Sequence, residues 1–171
     1  MPLPLAHGLV GATLSCALAP RITPPRAWFA ATLGAFLGIA PDFDFGFREV
    51  GIPFGHRGFT HALAFSLLFG VVLVAWFGTA RRREAVAYAA AMASHGLLDW
   101  STTYRGAGVK LFWPFSDAYM RLGVVSFSEF PFGFTAREVA VGLALELAVF
   151  SPLFLAVLWW RSRARLPETA M

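Results

Sequence analysis

The chain has 171 residues, a formal charge of +4, 57% hydrophobic residues and only 14% charged ones, with a mean hydropathy of +0.62. That is more apolar surface than a soluble domain of this size hides, so composition places the chain in a bilayer as a single domain, residues 1–171. A sequence pI near 10 suits nucleic acid on its face. The arginines, however, stand at the ends of apolar runs rather than on one amphipathic basic face, which excludes a nucleic-acid partner and suits membrane lipid with anionic headgroups.

The first apolar segment, roughly 3–19, ends in Ala17-Leu18-Ala19, which has the small-residue look of a signal-peptidase site. No lysine or arginine precedes it, and Pro20 would follow the scissile bond, so a retained helix carrying His7 is expected. Cys16 lies within it without a partner and reads as a small core residue. The second segment, 24–40, opens on Pro24 and Pro25 and closes at Pro41. It delivers the turn Pro41-Asp42-Phe43-Asp44. The third, 59–78, is entered through His56-Arg57-Gly58-Phe59-Thr60-His61 and is long enough to span. The fourth, 84–100, carries His95 and Asp99, four apart and therefore on one helix face. The fifth, 136–160, also long enough to span, contains Glu146. The first, second and fourth are short, since 17 residues cover about 26 Å of a roughly 30 Å hydrocarbon core.

Between the fourth and fifth segments, residues 101–135 carry Tyr104, Phe112, Trp113, Phe115, Tyr119, Phe127, Phe130, Phe132 and Phe134. Such a stretch is expected in the interfacial belt, capping a site as a lid or simply anchoring the chain. Arg105 and Lys110 near its start would attract an anionic headgroup, while Asp117 and Glu129 read as loop residues. The expected fold is all-α, a multi-pass membrane bundle of about five apolar helices with an aromatic extracytoplasmic loop. If all five segments cross, Arg21, Arg26, Arg81, Arg82, Arg83, Arg161, Arg163 and Arg165 share one side. Arg48, Arg57, Arg105, Lys110, Arg121 and Arg137 share the other, which sets the N-terminus outside and the C-terminus in the cytoplasm.

This topology carries a consequence that played no part in deriving it. His7, Asp42, Asp44, His56, His61, His95 and Asp99 all fall at the outer level of the membrane, as metal ligands drawn from alternating helices would. Mixed imidazole and carboxylate ligation suits zinc, with manganese or iron as alternatives, and seven candidates allow one or two ions. Each residue also has a plainer reading: a hydrogen-bonded pair for His95 and Asp99, headgroup contact for His56 and His61, turn and cap formation for Asp42 and Asp44, and a lone hydrogen bond for His7. Glu146 reads as a member of a buried network or as support for a ligand.

His7, the Pro-Asp-Phe-Asp turn, His-Arg-Gly-Phe-Thr-His at 56–61, His-x-x-x-Asp at 95–99 and Leu-Phe-Trp-Pro-Phe-Ser at 111–116 together resemble a known family. It is the bacterial membrane-bound metal-dependent hydrolases of the LexA-regulated, YdjM-like family, matched over about residues 5–117. The resemblance implies a multi-pass inner-membrane hydrolase whose substrate is undetermined. More distantly, the order of histidines and aspartates is similar to the zinc phospholipase C and P1 nuclease pattern, which implies a phosphoester or lipid-like substrate. The later His-x-x-x-Glu of that pattern is missing here. In such a hydrolase Asp44 or Asp99 would serve as general base, and Arg57 would bind substrate phosphate. The reading from another class is a transporter or proton relay using the same ionisable residues, and a third is an inactive scaffold. Oligomeric state is left open by the sequence.

Overall fold

The computed structural model describes residues 2–20, 24–49, 55–103, 108–124 and 135–163. It is all-helical, with a single Val109–Met120 bridge as the β structure among the described residues. Helix α1 spans Pro4–Leu18, α2 Pro24–Ile39, α3 Phe45–Glu49, α4 Leu63–Phe77, α5 Arg82–Thr102 and α6 Ala136–Arg163. Pro4 and Pro24 each occupy the first helical position, where the missing N–H has no intrahelical acceptor to lose. Pro41 enters a 3-10 turn, Ala40–Asp44, that ends α2 and swings the two aspartates off its axis.

Each apolar segment read from the sequence is helical over most of its length, but the third differs from expectation. Phe59–His61 form a 3-10 turn, Ala62 is extended, and Gly78 with φ +82° closes the helix. Helix α4 is therefore 15 residues long, about 22 Å, and does not span comfortably. Among the described residues, α6 is the one helix both long and apolar enough to cross a bilayer, while α1 and α4 are apolar and shorter.

Polarity is inverted relative to a soluble protein. Trp28, Leu67, Trp76, Leu155 and Trp159 lie on the outside, Trp76 being 81% exposed, whereas the interior is largely alanine together with His7, Ser15, His61, His95, Asp99 and Glu146. Small residues inside let helix backbones approach closely where no hydrophobic effect drives them together. A Cβ at Gly38 would run into the carbonyl of His7, and one at Gly96 into the carbonyl of His61. Those two glycines bring α1 onto α2 and α5 onto the 3-10 turn, which sets the spacing of the polar groups at that end.

Helix α6 grips α1 at both ends. The Glu146 carboxylate accepts hydrogen bonds from the Leu3 and Ala6 backbone N–H groups, the latter at 2.9 Å. Arg161 donates to the carbonyls of Ala19 and Pro20 at 2.8 Å each. Anion at the N-terminus and cation at the C-terminus both complement the α1 dipole, so the two helices run parallel. Glu146 thus lies level with the start of α1.

Candidate metal centre

His7 near the start of α1, the turn following α2, the turn preceding α4 and the last two turns of α5 meet at one end of the bundle. His95 is fully buried, and its Nδ1–H donates to the Gly38 carbonyl at 2.7 Å, because a carbonyl can only accept. A relay fixes His61: its Nδ1–H donates to the Thr60 hydroxyl at 3.0 Å, and that hydroxyl donates to Asp44 Oδ2 at 2.8 Å. With the Nδ1 protons so engaged, each imidazole in its neutral form turns an unprotonated Nε2 inward, and the two Nε2 atoms lie 3.0 Å apart.

The inward nitrogens face two carboxylates. Asp42 Oδ1 is 3.3 Å from His95 Nε2 and 3.5 Å from His61 Nε2; Asp99 Oδ2 is 3.9 Å and 3.7 Å from the same atoms. Asp42 Oδ1 and both Asp99 oxygens are buried and accept no hydrogen bond. With the imidazoles neutral, four converging lone pairs repel one another and call for a cation at their centre. The separations also suit one: ligand bonds of 2.0–2.2 Å around a tetrahedral ion imply atom-to-atom edges of roughly 3.4 Å. Asp42, His61, His95 and Asp99 form a group that can hold a metal ion.

The remaining candidates surround this group. His7 stacks on His95 with ring centroids 3.9 Å apart, and its Nε2 is 3.4 Å from Asp99 Oδ1. Asp44 is saturated by His56 Nδ1 at 2.7 Å, the Arg57 backbone N–H at 3.1 Å and the Thr60 hydroxyl. Asp44, His56 and His61 make a second, overlapping group able to hold an ion. Burial opposes ionisation of Asp44, but its hydrogen bonds to His56 and Thr60 outweigh this and hold the carboxyl below the ordinary range. Arg57 sits at φ +64°, a left-handed conformation unusual for a side chain of its size, and its Nε lies 3.9 Å from Asp99 Oδ2.

Part of the aromatic stretch packs over this end. Lys110 N–H donates to the Arg57 carbonyl and Leu63 N–H to the Leu111 carbonyl, while Val109 and Leu111 are buried. Trp113 contacts Phe59, and Phe115 projects outward. Lys110 pairs with Asp117 at 2.9 Å. Tyr104, Arg105, Phe127, Glu129, Phe130, Phe132 and Phe134 lie outside the described residues. Sequence reasoning missed Thr60 and Gly38, which orient the two imidazoles. A threonine adjoining a candidate histidine was the available signal for the first; a backbone carbonyl leaves none.

Comparison with known proteins agrees on the setting. The family model described as YdjM inner membrane protein matches residues 1–165. The curated inner membrane protein YbcI of Escherichia coli (strain K12) is 30% identical over 180 residues, covering 95% of this chain and all of that protein. No solved structure matches, so the likeness to the zinc phospholipase C and P1 nuclease pattern rests on residue order alone. With nearly its whole length matched, the chain belongs to the YdjM inner membrane protein family.

Proposed function

We propose that the protein is a multi-pass inner-membrane metal-dependent hydrolase acting on a phosphoester or lipid-like substrate at the extracytoplasmic face. The observation that carries this reading is the pair of His61 and His95 Nε2 atoms, 3.0 Å apart with their Nδ1 protons already engaged, facing carboxylate oxygens without donors. Asp42, His61, His95 and Asp99 would hold the ion, with His7 packed behind His95 and Asp99. A divalent ion bound there supplies an acidified water and stabilises developing negative charge, which is what hydrolysis of a phosphoester requires.

The chain's own residues do the rest. Gly38 and the Thr60–Asp44 relay fix both imidazoles so that they need not reorganise during reaction. Arg57, held over Asp99 by its left-handed backbone, presents a guanidinium to substrate phosphate. Asp99 Oδ1, turned toward His7 rather than toward the Nε2 pair, is placed to take a proton as general base. The segment around Leu111 and Trp113 covers the site and excludes water. The inverted polarity of the bundle supports embedding of all five long helices, and the opposite, arginine-bearing end fits the cytoplasmic side.

The test is hydrolysis of a chromogenic phosphodiester and of phospholipid by detergent-solubilised protein. Chelator-sensitive turnover restored by zinc or manganese, and lost in Asp99→Asn, is the expected result. Metal-loaded protein inert toward both substrate types would overturn the phosphoester assignment.

A further inference from the structure

At the end of the bundle remote from the metal centre, a cavity of about 710 Å³ is lined by Arg82, Arg83 and Arg161 together with Leu18 and Val86, and no acidic residue is among its lining. Arg161 is fixed there by the Ala19 and Pro20 carbonyls, and Arg81 is paired with Glu84. Arg82 and Arg83 have no acidic partner among the described residues. A second cavity, about 610 Å³, runs between α4 and α5 past Leu67, Gly70, Val71, Val74 and Ala90, and it too is lined by Val86. A cationic cavity and an apolar groove therefore adjoin at Val86.

We infer that the two adjoining cavities bind one anionic phospholipid, its phosphate on Arg82, Arg83 and Arg161 and an acyl chain in the α4–α5 groove. Charge selects the occupant: three guanidinium groups without an acidic partner among the described residues attract an anionic headgroup from the adjacent leaflet. The groove supplies what free phosphate cannot use, an apolar channel opening from the same site. The position, at the far end from the metal centre, makes this a bound structural lipid rather than a substrate. The inference therefore stands apart from the hydrolase proposal.

Native mass spectrometry of the full chain, exchanged in detergent against phosphatidylglycerol or phosphatidylcholine, tests it. Phosphatidylglycerol should be retained in preference, and the Arg82→Gln/Arg83→Gln variant should lose about 30-fold in affinity for it, the effect of removing two interfacial arginines. Ala90→Phe, which fills the groove, should weaken retention with the arginines intact. An unchanged circular dichroism spectrum and melting transition show that each variant has folded. The exposed arginine pair decides the matter if Ala90→Phe has not. Equal retention of the two lipids, no effect of the arginine substitutions, or displacement of phosphatidylglycerol by millimolar inorganic phosphate would each overturn the inference, the last by making this a phosphate site.

Discussion

Replacing Glu146 with alanine should unseat α1. In the native protein its carboxylate accepts from the N–H groups of Leu3 and Ala6 at the start of α1. Alanine leaves the Leu3 N–H without a partner and the Ala6 N–H with only the Leu3 carbonyl at 3.2 Å, a loss of about 1–3 kcal/mol for the first and less for the second, roughly 1–4 kcal/mol in all. Glutamine keeps one acceptor oxygen and should lose about half of that. For a chain of this size the alanine variant should melt about 2–16 °C lower. Because Ala6 adjoins His7, which stacks on His95, metal affinity should fall as well. Thermal unfolding of detergent-solubilised protein followed by circular dichroism reads the order wild type, Glu146→Gln, Glu146→Ala. An alanine variant melting with the wild type, or glutamine as damaging as alanine, would refute the reasoning.

Three further outcomes follow from the site. Arg57→Gly relieves a left-handed backbone and should raise stability by about 1 kcal/mol while lowering phosphodiester turnover about 100-fold; a variant that is both stable and fully active would remove Arg57 from substrate binding. Gly96→Ala forces a methyl group into the His61 carbonyl and should cost about 1–3 kcal/mol while spreading His61 from His95, seen as a lower melting temperature and weaker metal retention. Thr60→Val cuts the relay without touching the ligand set, so metal affinity should drop about 10–100-fold in a chelator competition, with the fold intact by circular dichroism.

Much of the site was legible because charge is costly in apolar segments, so the four histidines and Asp42, Asp44 and Asp99 stood out against Phe, Leu and Ala. Alternating helices then sufficed to put His7, Asp42, His61, His95 and Asp99 at one end. Spacing could not separate Asp42 from Asp44: two residues apart in a turn, both can aim at one centre, and only the three hydrogen bonds converging on Asp44 show that it braces His61. Glu146 could be read as a member of a buried network but not placed in one, because its partners are backbone amides 140 and 143 residues away, which leave no trace in side-chain pattern. The short α4 was hidden for a related reason. Phe59, Thr60 and Ala62 are apolar or neutral, so hydropathy runs on through a backbone that is already turning. The paired cavities at the arginine end depend on which faces of α4 and α5 meet, a tertiary fact that no local periodicity carries.

The most direct measurement is the metal content of the purified full chain, by inductively coupled plasma mass spectrometry, alongside His61→Ala, His95→Ala, Asp42→Asn and Asp99→Asn. Roughly one tightly held divalent transition ion per chain, lost when either imidazole is removed and weakened by each carboxylate substitution, is the expected result. Wild-type protein that takes up no ion from zinc- or manganese-containing buffer, or a His95→Ala variant that keeps its full complement, would contradict the account.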